Sequence, residues 1–428
     1  MSDPLRLGIA GLGTVGVGVL KIVRDQADLI AARAGRPVEV TAVSARTRDK
    51  DRGVSIDGMA WEDDPVALAT RDDVDLFVEV MGGSDGPAKA ATEAAIEAGK
   101  DVVTANKAML AIHGQALAEA AEAANVVIRF EAAVAGGIPV IKALTEGLSA
   151  NRIERVMGVM NGTCNYILTR MEATRQGYNA LFEEADKLGY LEADPMLDVG
   201  GIDAGHKLAL LSSIAFGTRV DFDAVQLEGI QAITLEDIVQ ARDMGYRIKL
   251  LGVAQMTGRG LEQRMMPCLV PAGSPLGQLE GGTNMVVIDG DSVGQIVMRG
   301  AGAGEGPTAS AVMADVIDIA RGIRVSTFGQ AASGLRQVRA ASSAVPAPYY
   351  IRMALLDKPG ALAKVATVLG DNGISIHRMR QYDHAETTAP VLIVTHRTTR
   401  SALDEAVAGM LRTGVVAGDP VVLRIEEV

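Results

Sequence analysis

A strand-length apolar run, Leu5-Arg6-Leu7-Gly8-Ile9-Ala10, passes without a break into Gly11-Leu12-Gly13-Thr14-Val15-Gly16, and a helical pattern follows from Val17 to Arg33. Strand, glycine turn and helix in that order admit few folds. In this context G-x-G-x-x-G is the dinucleotide fingerprint: Gly11 makes the turn, Gly13 lets a ligand approach the backbone, and Gly16 lets helix and strand pack closely. The unpaired N–H groups and dipole at the helix N-terminus favour a pyrophosphate. A glycine-rich turn that holds no ligand is the alternative.

Val38–Val43, Leu76–Val80, Asp101–Thr104 and Val126–Phe130 read as further strands, with a helix over Met109–Ala124. Their alternation predicts a parallel, doubly wound Rossmann-like sheet. The second strand ends at Ser44-Ala45-Arg46-Thr47-Arg48-Asp49-Lys50. A site built for NAD places Asp or Glu there to hold the ribose 2′-OH, so Ser44 followed by Arg46 predicts a 2′-phosphate. Arg48 and Lys50 stand in reserve, and the alternative is a solvated basic loop. Ligands gather at the carboxyl ends of such strands, which puts Lys107, after Thr104-Ala105-Asn106, near the nicotinamide half of the cofactor.

The chemistry is expected in Gly189-Tyr190-Leu191-Glu192-Ala193-Asp194-Pro195 and its continuation through Asp198 to Asp203 and Lys207. The helix Ile202 to Phe216 is apolar on nearly every side, which predicts burial. Asp203 and Lys207 are four apart and share one face, so the pair points inward. A buried ion pair gives little net stability, which favours a functional reason over a register-fixing salt bridge. A buried lysine beside a carboxylate is placed to move a proton in a reaction. Glu192, Asp194 and Asp198 stand just upstream.

Glu131-Ala132-Ala133-Val134-Ala135-Gly136-Gly137-Ile138-Pro139 breaks the strand–helix rhythm and marks a boundary. It reads as a plain turn in preference to an oxygen cage for a hard cation. Ile153–Val159 and the alternating runs Lys249–Gln255, Glu262–Leu269, Met285–Ile288 and Val293–Met298 predict a second, α+β domain with a mixed sheet. The glycine-rich run Gly300 to Thr308 admits a ligand or a hinge. Ala340–Pro348 reads as a linker, and Tyr349–Val428 follows the order strand, helix, strand, strand, helix, strand, which is ferredoxin-like.

At 428 residues the chain suits two or three domains. A net charge of −12 argues against nucleic acid or an anionic membrane as partner. The absence of a bilayer-length apolar run and of a signal-like N-terminus predicts a cytoplasmic protein. Two cysteines, Cys164 and Cys268, make no disulfide framework and are expected to be buried.

Taken together, the motifs Gly11 to Gly16, Thr104 to Lys107, Asn161-Gly162-Thr163-Cys164-Asn165-Tyr166-Ile167-Leu168, Leu188 to Pro195 and Asp203-Ala204-Gly205-His206-Lys207-Leu208 give a sequence that resembles homoserine dehydrogenase over essentially its whole length. The resemblance implies interconversion of L-aspartate 4-semialdehyde and L-homoserine with NADP(H) preferred and NAD(H) possible. It implies catalytic roles for Lys207, Asp203 and Lys107, and substrate binding by Glu192, Asp198 and Asp203. The cofactor set is Gly11, Gly13, Thr14, Val15, Gly16, Arg46, Lys107, Gly189 and Gly304. A sodium ion is implied on Glu131 and the carbonyls of Val134, Gly136 and Ile138, which reverses the preference for a plain turn. The tail resembles an ACT domain, with Leu356-Asp357-Lys358-Pro359-Gly360-Ala361-Leu362 as its opening. Threonine is the implied effector, and a homodimer or homotetramer the implied assembly. The expected division is 1–130 for the dinucleotide domain, with a return at 304–335, then 131–303 for catalysis and dimerisation, 336–348 for the linker and 349–428 for the ACT domain.

Two rival readings are open at this stage. Another NADP-linked oxidoreductase could carry the same first domain, since fold does not fix substrate. A non-catalytic amino-acid sensor would have no use for Lys107, Glu192, Asp203 and Lys207 together.

Overall fold

The computed structural model describes residues 3–192, 194–382 and 387–427, so Ala193 of the acidic motif lies outside the described residues. β1 (Leu5–Ala10), β2 (Val38–Ser44), β3 (Ala60–Glu62), β4 (Leu76–Glu79), β5 (Asp101–Thr104) and β6 (Ile128–Arg129) form a parallel sheet in the order β3-β2-β1-β4-β5-β6. This is the doubly wound order, with the chain reversing direction across the sheet between β1 and β4. β1 reads as near-continuous apolar sequence because helices cover both its faces, and Leu7 and Ile9 are fully buried.

The expected helical stretch from Val17 to Arg33 is two helices, Thr14–Asp25 and Ala27–Ala34, parted at Gln26 where φ is −123°. Much later the chain returns: the helix Glu305–Ala320 packs Ala309, Val312, Met313 and Val316 into the same core as Leu7, Ile9 and Leu20. Gly18 lets it approach, since a Cβ there would stand 2.7 Å from the Glu305 carbonyl.

A second sheet joins β7 (Ile153–Val159), β8 (Gln226–Leu227), β9 (Tyr246–Thr257), β10 (Gly260–Pro271), β11 (Thr283–Gly290) and β12 (Gly294–Ala301) to four strands of the tail, β13 (Tyr349–Leu356), β14 (Ile376–Gln381), β15 (Thr388–Thr395) and β16 (Val416–Ile425). Its order is β12-β11-β7-β9-β10-β16-β13-β15-β14, with β8 beside β10. The pairs are antiparallel except β10 with β16 and with β8, so the sheet is mixed. The helix Ile202–Phe216 lies buried against this sheet and is bounded by Gly201 and Gly217, both left-handed at φ 80° and 60°.

The tail is therefore continuous with the second sheet. Arg264 of β10 is fully buried and lies 2.8 Å from Glu262, while its Nη2 lies 2.6 Å from Glu426, an ion pair off the hydrogen-bonding direction. The stretch 336–348 is tied down on both sides: Leu261 N–H donates to Arg339 at 3.1 Å, Val345 N–H to Glu262 at 3.1 Å, and Ala347 N–H to Thr398 at 3.1 Å. It tethers two parts of one sheet, where the composition alone suggested a free linker. Among the described residues, no helix is long and apolar enough to cross a membrane.

Candidate active site

The carboxyl ends of β1 and β4 meet at the fingerprint. Gly11 has φ 105° and lies so close to β4 that a Cβ would stand 2.6 Å from the Val80 carbonyl, while one on Gly16 would stand 1.9 Å from the Gly11 carbonyl. Gly13 differs, because a Cβ there would meet nothing within 4 Å. Directly after Gly13, Thr14 and Val15 border a cleft of about 560 Å³ that Gly304 and Thr308 also line. Neither Thr14–Asp25 nor Glu305–Ala320 has a side-chain cap at its N-terminus, so two sets of free N–H groups face one cleft. That donor set suits the anionic bridge of a dinucleotide.

Past the end of β2 the basic loop is exposed at Arg46, Arg48 and Lys50. Ser44 lies beside Ala10 in register and its carbonyl accepts from Gly11 N–H at 2.9 Å, which brings this strand end to the fingerprint. Sequence reasoning passed over Arg52, which shapes the loop: it donates to the carbonyls of Thr47, Arg48 and Lys50 and lies 5.7 Å from the Trp61 ring centroid.

The far wall of the cleft carries Asp203 and Lys207. One turn apart on the buried helix, they make a 2.7 Å ion pair through Asp203 Oδ2, and Lys207 Nζ also donates to the Met160 carbonyl at 2.9 Å. From the first sheet, Lys107 Nζ reaches Asp203 Oδ1 at 3.0 Å and Glu192 at 3.5 Å. Lys107 begins a helix capped by Asn106, whose Oδ1 accepts from Met109 N–H at 3.1 Å. Burial by itself would raise the Asp203 carboxyl, yet the ammonium groups of Lys207 and Lys107 outweigh it and hold it well below the usual carboxylate range. Burial by itself would lower Lys107, and Asp203 and Glu192 hold it above the usual lysine range.

Asn161, in a motif noted for resemblance alone, organises these carboxylates. Its Nδ2 donates to Asp198 at 2.8 Å and to Asp203 at 3.1 Å, while its Oδ1 caps the helix Gly162–Thr174 through Cys164 N–H at 2.8 Å. Asp198 is buried, and its other oxygen accepts from Glu192 N–H at 2.9 Å, which fixes the loop that carries Glu192. Asp194 is exposed and caps Pro195–Val199 through Met196 N–H at 3.0 Å, so it stands apart from the cluster. Gly189 lines the cleft with φ 73°. Cys164 and Cys268 are both buried and free, and Cys164 Sγ donates to the Asp198 carbonyl at 3.3 Å, a contact beyond mere packing.

A second cavity of about 420 Å³ opens on the other side of Lys107, Glu192 and Asp203 and is bordered by Gly82, Gly83 and His206. Glu79, unnoticed in the sequence, shapes that rim: buried at the end of β4, it accepts from Thr104 Oγ1 at 2.5 Å and from the N–H groups of Met81 and Gly82 at 2.8 and 3.1 Å.

Glu131 is buried, and its two oxygens accept from Ile141 and Lys142 N–H at 2.8 Å each. Burial first, and then the Asp315 carboxylate, push its carboxyl up to about 7. The chain from Val134 to Ile138 curls beside it with positive φ at Ala135 (56°) and Gly136 (55°), a conformation an alanine adopts only at a cost. The Ile138 carbonyl accepts from Val140 N–H at 2.8 Å. The buried Glu131 carboxylate is an oxygen donor of the kind a small cation takes. Among the described residues, no group of three or more His, Cys, Asp or Glu could hold a metal ion.

Comparison with known proteins meets this geometry. Residues 139–317 match the family model for homoserine dehydrogenase, residues 11–131 the model for the homoserine dehydrogenase NAD-binding domain, and residues 349–408 the ACT domain. The chain is 42% identical over 431 residues to a homoserine dehydrogenase of Neisseria gonorrhoeae, covering 99% of each, and 41% identical to that of Pseudomonas aeruginosa, again covering 99% of each. A crystal structure of a homoserine dehydrogenase from Thiobacillus denitrificans superposes with a TM-score of 0.94 at 40% identity, covering 99% of both chains. A hyperthermophilic archaeal homoserine dehydrogenase in complex with NADPH superposes with a TM-score of 0.63 at 26% identity, covering 74% of this chain and 97% of that one.

Proposed function

The chain belongs to the homoserine dehydrogenase family, oxidoreductases that act on a CH–OH group with a nicotinamide cofactor, and from that premise we propose how its residues divide the work. The substrates are L-homoserine and L-aspartate 4-semialdehyde. The observation that carries the assignment of roles is the Asp203 carboxylate held between Lys107 and Lys207 in the cleft that Thr14 and Val15 also line.

When bound, a reduced nicotinamide cofactor would supply hydride to the aldehyde carbon. Lys207 gives its proton to the aldehyde oxygen as that oxygen becomes a hydroxyl, and takes one back in the reverse direction. Asp203 keeps Lys207 aimed and offers its remaining lone pairs to the substrate. Lys107, held strongly protonated by two carboxylates, is a fixed cation between cofactor and substrate and a poor proton donor. Glu192, half-exposed at the mouth, binds the substrate ammonium, and Asp198 supports it from behind. Gly11, Gly13, Thr14, Val15, Gly16, Gly189 and Gly304 frame the cofactor. NADPH oxidation with aspartate 4-semialdehyde is the test, and absence of turnover would remove the reading.

We infer NADP preference from Ser44 and Arg46, and a sodium ion on Glu131 with the carbonyls of Val134, Gly136 and Ile138. The ACT domain suggests an amino-acid effector, and we propose threonine. We propose a homodimer or homotetramer, since β12 and β14 leave both ends of the second sheet as open edges. We propose the division 1–130 with 304–335, 131–303, 336–348 and 349–428, supported by the packing of Glu305–Ala320 into the first core and by the tail's own α/β order.

A further inference from the structure

Asn284 stands where β11 begins, on the wall of the cleft beside Gly282, Gly302 and Gly304. It is 1% exposed, yet its Oδ1 has no hydrogen-bond partner. A buried amide oxygen left without a donor is unfavourable, and it persists where a ligand completes it. The fold makes room for this side chain: a Cβ on Gly302 would stand 2.0 Å from Asn284 Nδ2, so only glycine at 302 admits the carboxamide.

The loop that leads to Asn284 is fixed from behind. Asn165 Nδ2 donates to the Gly281 carbonyl at 2.7 Å, and the buried Lys249 donates to Asn165 Oδ1 at 2.9 Å and to the Leu279 carbonyl. Gly162 lies against the same loop, where a Cβ would stand 2.6 Å from the Gly282 carbonyl. A rigid, buried acceptor at the cleft wall selects for a ligand group that donates.

The candidates narrow by chemistry. A pyrophosphate has acceptors and no donor. The adenosine end is matched by the β2 terminus at Ser44 and Arg46, and a substrate ammonium by the carboxylates around Lys107. We propose that Asn284 is a cofactor-binding residue whose Oδ1 accepts a hydrogen bond from the nicotinamide riboside, either a ribose hydroxyl or the carboxamide N–H. The proposal rests on the nicotinamide-cofactor reading of the cleft.

Fluorescence titration of the full-length protein with NADPH, with competition by adenosine 2′,5′-bisphosphate, tests it, because the bisphosphate lacks the nicotinamide riboside. Asn284→Ala should weaken NADPH about five- to tenfold, the loss of one neutral hydrogen bond, and leave the bisphosphate unchanged. Asn284→Leu, similar in shape with no acceptor, should behave alike and carries the test should the alanine variant fold poorly. Unchanged NADPH affinity, or equal loss for both ligands, overturns the proposal. A wild-type protein that binds the bisphosphate and not NADPH overturns it together with the cofactor reading.

Discussion

Lys107 and Lys207 approach one carboxylate from opposite sides: Lys107, from the end of the first sheet, is 3.0 Å from Asp203 Oδ1, and Lys207, from the buried helix, is 2.7 Å from Oδ2. Two cations on one buried anion tie the dinucleotide half to the catalytic half. Asp203→Asn should release both, lowering kcat by about a hundredfold or more, the range lost with a positioned general-acid system. The check is steady-state kinetics beside an NADPH titration, and near-normal kcat would contradict the role.

The same pair sets a pH expectation. The Asp203 carboxyl is depressed in the folded state, so its stabilising contribution is present above the unfolded carboxylate range and is lost only as pH falls through the depressed folded value. Asp203 therefore stays ionised through the weakly acidic range. Urea denaturation of wild type and Asp203→Asn from pH 4.5 to 7 should show a constant difference, and a difference that shrinks already near pH 5 would contradict it.

Lys249 is shifted in the same direction but acts in the alkaline range. Burial lowers it to about 8 from an unfolded value near 10.5, so the folded state gives up its proton first. Its stabilising contribution is present above the unfolded value and is lost as pH falls through about 8. Wild type should then gain roughly 3 kcal/mol relative to Lys249→Met between pH 8 and 10.5, at about 1.4 kcal/mol per unit. Parallel curves for the two proteins in that window would show that the lysine is not strongly desolvated.

Arg46→Ala should weaken NADPH by about tenfold or more and leave NADH unchanged, the loss of one charge-assisted contact to a 2′-phosphate. Equal loss for both cofactors would show that the arginine does not read the phosphate.

Joining of the tail to the second sheet changes what truncation means. Removing residues after Ala340 would bare the edge of β10 and leave Arg264 without Glu426, and breaking a buried pair costs about 3–5 kcal/mol. Glu426→Gln should lower stability by a similar order, measured by urea denaturation, and an unchanged midpoint would separate the tail from the core. The proposed threonine effect is then better tested on the full chain with substitutions inside the tail than on a truncated enzyme.

Much of this was legible in the sequence because its signals are local. β1, β7 and the helix Ile202–Phe216 have the bounds their apolar runs suggest, and the i, i+4 spacing of Asp203 and Lys207 did put them together on a buried face. β3 went unseen because three residues, Ala60 to Glu62, carry no periodicity. The junction of β10 with β16 rests on two residue pairs, Cys268 with Arg424 and Leu269 with Ile425, drawn from strands over 150 positions apart, and no local pattern encodes it. Asn161 and Asn284 are neutral amides whose importance lies in what they face, which spacing does not reveal.

Turnover and cofactor binding of Lys207→Met, measured on the same preparation, test the central claim most directly. The account predicts that kcat for NADPH oxidation with aspartate 4-semialdehyde falls by several orders of magnitude while the NADPH dissociation constant stays within about twofold, because a proton donor is removed and no cofactor contact is. Near-wild-type turnover, or an activity loss matched by an equal loss of NADPH affinity, would contradict it.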